Sequence, residues 1–306
     1  MMEMRQVLSQ ELEALIQKND NIVVLNADLA KPNGLGELIQ KYPKRVFNAG
    51  IAEQNMASVA AGMSSYGFIP FIVTFTPFAT RRICDQIAIS ICYAKQNVKI
   101  IGSDPGITAE LNGGTHMSVE DIGVLRSIPG IVIFEPADTT ELKKAIPQIV
   151  DYKGALYMRM PRKTVPSVYD DSYEFEISKA DVLREGSDVS IFCCGIMVHE
   201  SLCAADELRE KGVSAEVVNV HTIKPIDRET IIKSAKKTGR VITAENHNII
   251  GGLHSAVCEV LAEDFPVSVG AIGINDVFGQ VGKLPYLKET YKMRCRDIVD
   301  LVLEKF

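Results

Sequence analysis

Tryptophan is absent from the 306 residues, and no apolar run approaches the roughly 18 residues of a membrane span. No membrane helix is therefore expected. The opening stretch, Met1 to Ile16, mixes Glu, Arg and Gln among its apolar residues, which is the pattern of an amphipathic helix and of neither a signal nor a transit peptide. No Cys-x-x-Cys pair occurs among the seven scattered cysteines, so neither a zinc site nor a dithiol redox motif is indicated. Those cysteines sit mostly in apolar stretches, as buried thiols of a reducing cytoplasm do. Dense Lys/Arg clusters are missing as well: the net charge is −6, and nucleic acid is not an expected partner.

What is present is an ordinary globular composition, 46 % apolar and 24 % charged, on a chain long enough for two cores. Short β-branched runs alternate with helical segments. Strands are expected at Ile22–Leu25, Phe71–Thr74, Val98–Ile101, Ile131–Phe134 and Ala155–Met158. Helices are expected at Glu53–Tyr66, Ala79–Ala94, Ser118–Ser127 and Thr139–Val150. Ser118 with Asp121 three residues on forms a weak capping box. Near-continuous apolar strands between helices predict a parallel sheet covered on both faces. The rhythm breaks in a polar, proline-containing stretch after Pro161, and a second α/β series follows it. The expected division is a first domain over 1–163, a linker over 164–180 and a second, smaller domain over 181–306.

Three segments offer chemistry, each with a plainer alternative. In Phe47-Asn48-Ala49-Gly50-Ile51-Ala52-Glu53-Gln54-Asn55-Met56 a glycine turn runs into a helix, and Glu53 falls in its first turn, where a carboxylate suits the helix dipole. Taken alone that describes a surface Glu. The small residues Ala57, Ser58, Ala60, Ala61 and Gly62 behind it place the helix in an interior or at a subunit interface, where Glu53 is desolvated and suited to proton exchange. Phe75 and Phe78, either side of Pro77, form either a slot for a flat ring or ordinary core. His116, after Gly113-Gly114-Thr115, is an imidazole on a flexible loop, functional or incidental. His199, His221, His247 and His254 carry no chemistry that the sequence assigns.

The order of these segments resembles the pyrimidine-binding domain of transketolases. The matching run is Gly50-Ile51-Ala52-Glu53-Gln54-Asn55-Met56, Thr74-Phe75…Phe78-Ala79-Thr80…Asp85-Gln86, and Gly113-Gly114-Thr115-His116…Glu120-Asp121-Ile122. Ile223-Lys224-Pro225-Ile226-Asp227 and Glu245-Asn246-His247…Gly251-Gly252-Leu253 look like the transketolase C-terminal domain. The resemblance spans essentially the whole chain. It implies a thiamine-diphosphate enzyme that moves a two-carbon ketol unit from a ketose to an aldose, with Glu53 hydrogen-bonding the aminopyrimidine and activating the cofactor. Leu29, Ile51, Phe75 and Phe78 would hold the cofactor, and His116 would serve catalysis facing the substrate. Arg5 and Arg159 match the family's phosphate-binding arginines, with Arg162 and Lys31 as neighbours. Asp104 stands where the family has a phosphate-contacting His, and Asn112 where it has a hydroxyl-reading Asp, so the donor's terminal group is expected to be held differently from an ordinary phosphate.

The Gly-Asp-Gly…Asn signature that holds Mg²⁺ and the diphosphate is missing. The resemblance therefore implies a separate N-terminal diphosphate-binding transketolase subunit, an α₂β₂ assembly with a dimeric core, no metal ligand on this chain, and a cytoplasmic enzyme inactive without its partner. A 2-oxo acid dehydrogenase beta subunit, or a specialised sugar-catabolic relative, shares the architecture. A non-catalytic structural subunit would have no reason to keep Glu53, the Phe pair and His116 together.

Overall fold

A computed structural model of the chain describes residues 2–305. Its first half carries strands β1 (Ile22–Asn26), β2 (Val46–Asn48), β3 (Ile69–Phe75), β4 (Lys99–Ser103), β5 (Val132–Phe134) and β6 (Leu156–Met160). After the linker come β7 (Asp181–Arg184), β8 (Val189–Cys193), β9 (Ala215–Asn219), β10 (Thr222–Lys224), β11 (Val241–Asn248) and β12 (Val269–Ile274). A seven-stranded sheet runs β10-β5-β6-β4-β3-β1-β2, and a five-stranded sheet runs β12-β11-β8-β9-β7. All pairings are parallel except β10 with β5 and β7 with β9, each at a sheet edge.

The parallel reading follows from the strand interiors. β1, β3, β4, β5 and β6 are buried at every residue, as strands covered on both faces must be. Both sheets are thus parallel-stranded α/β layers, the expected class. β10 departs from the expected division: it belongs in sequence to the second half yet extends the first sheet, where the Lys224 ammonium donates to the carbonyls of Arg126 at 2.7 Å and Ile128 at 2.5 Å.

Two helix expectations are corrected. The stretch 79–94 is not one α-helix: a turn at Thr76–Ala79 and a 3₁₀ turn at Arg81–Ile83 precede a π-helix over Gln86–Tyr93. Pro77 sits at the start of this broken run, and its rewinding brings both Arg81 and Arg82 to the same edge as the Phe pair. Ser118 is not a cap either. The helix there begins at Asp121, and the buried Ser118 hydroxyl has no partner. At Thr139–Asp151 the cap is Asp138, whose Oδ1 accepts from the N–H of Glu141 at 2.9 Å. Its Oδ2 accepts from Val168 and Tyr169 and so fastens the linker to the first sheet.

The linker is fixed further by a half-buried polar knot. Tyr169 and Tyr173, stacked with centroids 3.8 Å apart, each donate to Asp181 Oδ2 at 2.7 Å, and Asn219 donates to Glu141 at 3.0 Å. Between the halves, the Asn246 side chain caps the N–H of Ile107 and donates to the carbonyl of Pro105, both at 2.9 Å. Gly106 passes here with φ +51°, and an added Cβ would meet Asn246 Oδ1 at 2.2 Å. All seven cysteines are free, and among the described residues no helix is long and apolar enough to cross a membrane.

Candidate active site

Ligands in open parallel sheets gather beyond the carboxyl ends of the strands, where the strand order switches direction. In the first sheet that switch lies between β1 and β3, with Leu29 beyond the end of β1 and Phe75 ending β3. The same edge carries the Gly50–Glu53 turn after β2, Asp104 after β4 and Arg162 after β6. Topology alone lines up segments far apart in sequence.

Glu53 opens the helix Glu53–Ser65 and is only 3 % exposed. Its Oε1 accepts from Arg82 Nη1 at 2.7 Å, and the Arg82 guanidinium lies 3.7 Å above the Phe78 ring centre. Phe78 and Phe75 are 6.1 Å apart and both meet the His116 imidazole edge-on, at 5.3 and 6.0 Å. Such aromatic contacts add about 0.5–1.5 kcal/mol beyond burial. A cavity of about 460 Å³, lined by Ile51, Ala52, Glu53, Gln54, Asn55 and Arg82, opens beside the carboxylate. Glu53, Phe75, Phe78 and His116 are therefore brought together, and Ile51, 78 % exposed, stands at the cavity's rim.

The loop of His116 is braced from outside. Arg81 donates to Glu120 at 2.7 Å and to the Thr115 carbonyl at 3.2 Å, and the Thr115 hydroxyl lies 2.9 Å from His116 Nδ1. Asn112 is exposed one turn earlier. Leu29 is half-buried, its N–H held by Asn26 Oδ1 at 3.2 Å.

Arg159 is corrected. Expected at a substrate phosphate, it is 0 % exposed, with Nε and Nη2 on Asp121, Nη1 on Glu135 at 2.8 Å and a further bond to the Asn246 carbonyl. Two carboxylates consume its donors inside the joint between the halves. The cation at the edge is Arg162, which the resemblance places only as a neighbour. The sequence does carry the signal: Pro161 ends β6, so Arg159 lies within a central buried strand and Arg162 lies beyond its end, where ligands bind.

Asp104, buried and in the left-handed region at φ +54°, accepts from the N–H of Arg162 at 2.8 Å and from its Nε at 2.5 Å. Burial raises the pKa of Asp104, and the adjoining guanidinium opposes that rise. The Arg162 guanidinium lies 4.6 Å over the Phe75 ring. Arg5 donates its backbone N–H to the Arg162 carbonyl at 3.1 Å, and its side chain binds Glu3 and the Pro32 carbonyl. The site is thus a row: Glu53, Arg82, Phe78, His116, Phe75, Arg162, Asp104. One end is a buried carboxylate suited to a hydrogen-bonding ring; the other is a clamped guanidinium suited to an anion.

A two-domain α/β protein with a buried carboxylate and an aromatic slot at a parallel-sheet edge is the class these features define. Residues 1–167 match the family "Transketolase, pyrimidine binding domain", and residues 178–298 match "Transketolase, C-terminal domain". The chain belongs to the transketolase family. It is 50 % identical over 283 residues, 92 % of this chain and 88 % of the relative, to the 6-deoxy-6-sulfo-D-fructose transketolase subunit SqwH of Clostridium sp. (strain MSTE9). It is 41 % identical over 305 residues, 99 % of this chain and 96 % of the relative, to a putative transketolase C-terminal section of Methanocaldococcus jannaschii. A solved structure described as "Split gene transketolase, inactive beta4 tetramer" superposes with a TM-score of 0.92 at 41 % identity, covering 99 % of this chain and 98 % of that one. The relatives are parts of split transketolases, and this chain has the architecture of such a part.

Proposed function

We infer that this chain is the ring-activating subunit of a thiamine-diphosphate-dependent transketolase, moving a two-carbon ketol unit from a ketose with an anionic terminal group to an aldose. The observation that carries the reading is the buried Glu53 carboxylate, joined through Arg82 to the Phe78–His116–Phe75 cluster. These residues fit the aminopyrimidine half of the cofactor: a desolvated acceptor, a cavity beside it and aromatic faces behind. Nothing here fits the diphosphate or Mg²⁺, since the Gly-Asp-Gly…Asn signature does not occur. Those groups fall to a partner subunit. When bound, the cofactor supplies the carbon nucleophile and the electron sink.

Each residue then has a local task. Glu53 accepts a hydrogen bond from a ring nitrogen and biases its protonation. Phe75 and Phe78 fix the ring plane and exclude water. His116 carries protons to and from sugar oxygens beside the reacting carbon. Arg162 receives the terminal anion. The partner's docking face is supported by exposed apolar residues: Ile51 beside the cavity, then Val59 and Tyr66 down the helix that Glu53 opens, and Ile89 and Tyr93 on the π-helix packed against it. Exposed apolar side chains on two helices packed together suit an interface. The relative acting on 6-deoxy-6-sulfo-D-fructose makes a sulfo-ketose the leading donor here, ahead of a phosphorylated one.

Co-purification with a diphosphate-binding transketolase subunit, followed by mass spectrometry of ketose–aldose mixtures with thiamine diphosphate and Mg²⁺, tests the reading. The expected products are a donor shortened, and an acceptor lengthened, by two carbons, with none from the lone subunit. Pyruvate-dependent dye reduction without sugar transfer would place the chain with the 2-oxo acid dehydrogenases instead.

A further inference from the structure

Three cations at the far end of the row each have a carboxylate. Arg162 is clamped by Asp104, Lys163 pairs with Glu110, and Arg5 pairs with Glu3. These three ion pairs balance formally, with Lys31 beside Arg5 in addition, and they still present guanidinium donors. Asp104 contributes most to that balance: it is buried, it holds both the backbone N–H and the Nε of Arg162, and it fixes the guanidinium over the Phe75 face. Among the described residues neither Nη of Arg162 has a hydrogen-bond partner, so the free fork remains available to an acceptor.

We propose that Asp104 determines which terminal anion the enzyme accepts, presenting Arg162 as a hydrogen-bonding fork while cancelling its charge, so that a monoanionic sulfonate is preferred to a dianionic phosphate. The proposal rests on the ketol-transfer reading above. A sulfonate carries one negative charge at all working pH values and three acceptor oxygens. A phosphate monoester carries about one and a half to two near pH 7, its second proton leaving near pH 6. The extra charge meets Asp104 at short range, where Arg162 is already matched, a repulsion that weak screening in a partly closed site preserves. Asp104 acts through Arg162 and is a positioning residue.

The test uses the reconstituted holoenzyme with three ketose donors sharing the same reacting end: a 6-sulfonate, a 6-phosphate and the uncharged sugar. Wild type should favour the sulfonate, mainly through KM. Asp104→Asn keeps one acceptor for Arg162 but removes the charge, and should raise the phosphate-to-sulfonate ratio of kcat/KM by roughly 10- to 100-fold. Arg162→Gln should weaken both charged donors by a larger factor than it weakens the uncharged one. An unchanged ratio in a folded, assembled Asp104→Asn enzyme overturns the proposal.

If that variant does not assemble, wild type supplies the second measurement. Lowering pH from 7.5 to 5.5 converts the phosphate towards a monoanion, so its KM should fall relative to the sulfonate. The charged and titratable groups around Arg162 and Arg5 are Asp104, Lys163, Glu110, Glu3, Lys31 and, across Phe75, His116, and all are common to both donors. A constant KM ratio over that range sinks the proposal. If no ketose is transferred at all, the ketol reading has failed, and calorimetric binding of the two charged ketoses still decides the charge preference by the same sign.

Discussion

Arg82 donates to the buried carboxylate of Glu53 at 2.7 Å, and that single contact joins the cavity to the aromatic cluster. With its guanidinium 3.7 Å over Phe78, Arg82 fills the place where Glu53 and Phe78 together favour a flat, hydrogen-donating ring. A planar cation and an aminopyrimidine satisfy the same two neighbours.

Glu53→Gln keeps the shape and removes the charge that biases a ring proton. Transfer by the assembled enzyme should fall by roughly 10²–10⁴-fold, the scale of a positioned acid–base group. Sedimentation should show an unchanged oligomer. Full activity in the variant would show that the carboxylate does not activate the cofactor.

Arg82→Ala leaves Glu53 buried and without its cation. The Arg82 side chain is about two-fifths exposed, so the pair is worth less than a fully buried one, and a loss of about 1–2 kcal/mol is expected for the isolated subunit. Urea denaturation of Arg82→Ala, Glu53→Gln and the double variant measures the coupling. Strictly additive losses would mean that the two side chains do not stabilise one another.

Arg159 makes a different prediction because it holds the joint between the halves. Arg159→Met strands Asp121 and Glu135 in a dry interior, and breaking a buried pair costs about 3–5 kcal/mol. Denaturation should show that loss, while the KM for a charged donor in whatever enzyme remains assembled stays near wild type. A large rise in KM at unchanged stability would return Arg159 to the substrate site.

How much of this was legible in sequence depends on the range of the interactions involved. The parallel sheets were readable because burial on both faces writes continuous apolar runs, as in Ile22–Asn26 and Ile69–Phe75. Glu53, Phe75, Phe78 and His116 were readable as an ordered set, though not as contacts. β10 was not, because three residues bonded to a sheet in the other half carry no periodicity of their own. The roles of Arg159 and Arg162 were exchanged because they lie three apart on one strand and its end. Pro161 marks which of the two lies past the strand end, and the positions of Asp121 and Glu135, 38 and 24 residues away, fix the other one inside. The pairing of Asp104 with Arg162 across 58 residues was equally invisible, so whether its negative charge was paired stayed open in the sequence.

His221, for which the sequence offered no chemistry, makes one separable contribution to the pH dependence of stability. The ring is fully buried against Phe175 at 4.8 Å and Phe134 at 5.8 Å, with Nδ1 2.9 Å from the Thr222 hydroxyl and Nε2 3.8 Å from Asp181. Burial pushes its pKa down to about 3, against the opposing pull of Asp227. A base with a depressed folded pKa stays neutral in the native state while the unfolded chain takes up a proton below its ordinary value of about 6.5. The stability it contributes is therefore present above pH 6.5 and is lost as pH falls towards 3. Between about pH 6.5 and 4.5 that loss amounts to about 2 kcal/mol, since the slope reaches about 1.36 kcal/mol per pH unit only below the unfolded pKa. Denaturation of wild type and His221→Gln at both pH values isolates it, because other titrating groups are shared. The stability advantage of wild type over the variant should shrink by that amount in acid. A constant difference would mean that His221 accepts a proton in the folded state and pairs with Asp181, and the linker would then be held by an ion pair instead of a neutral ring between two phenylalanines.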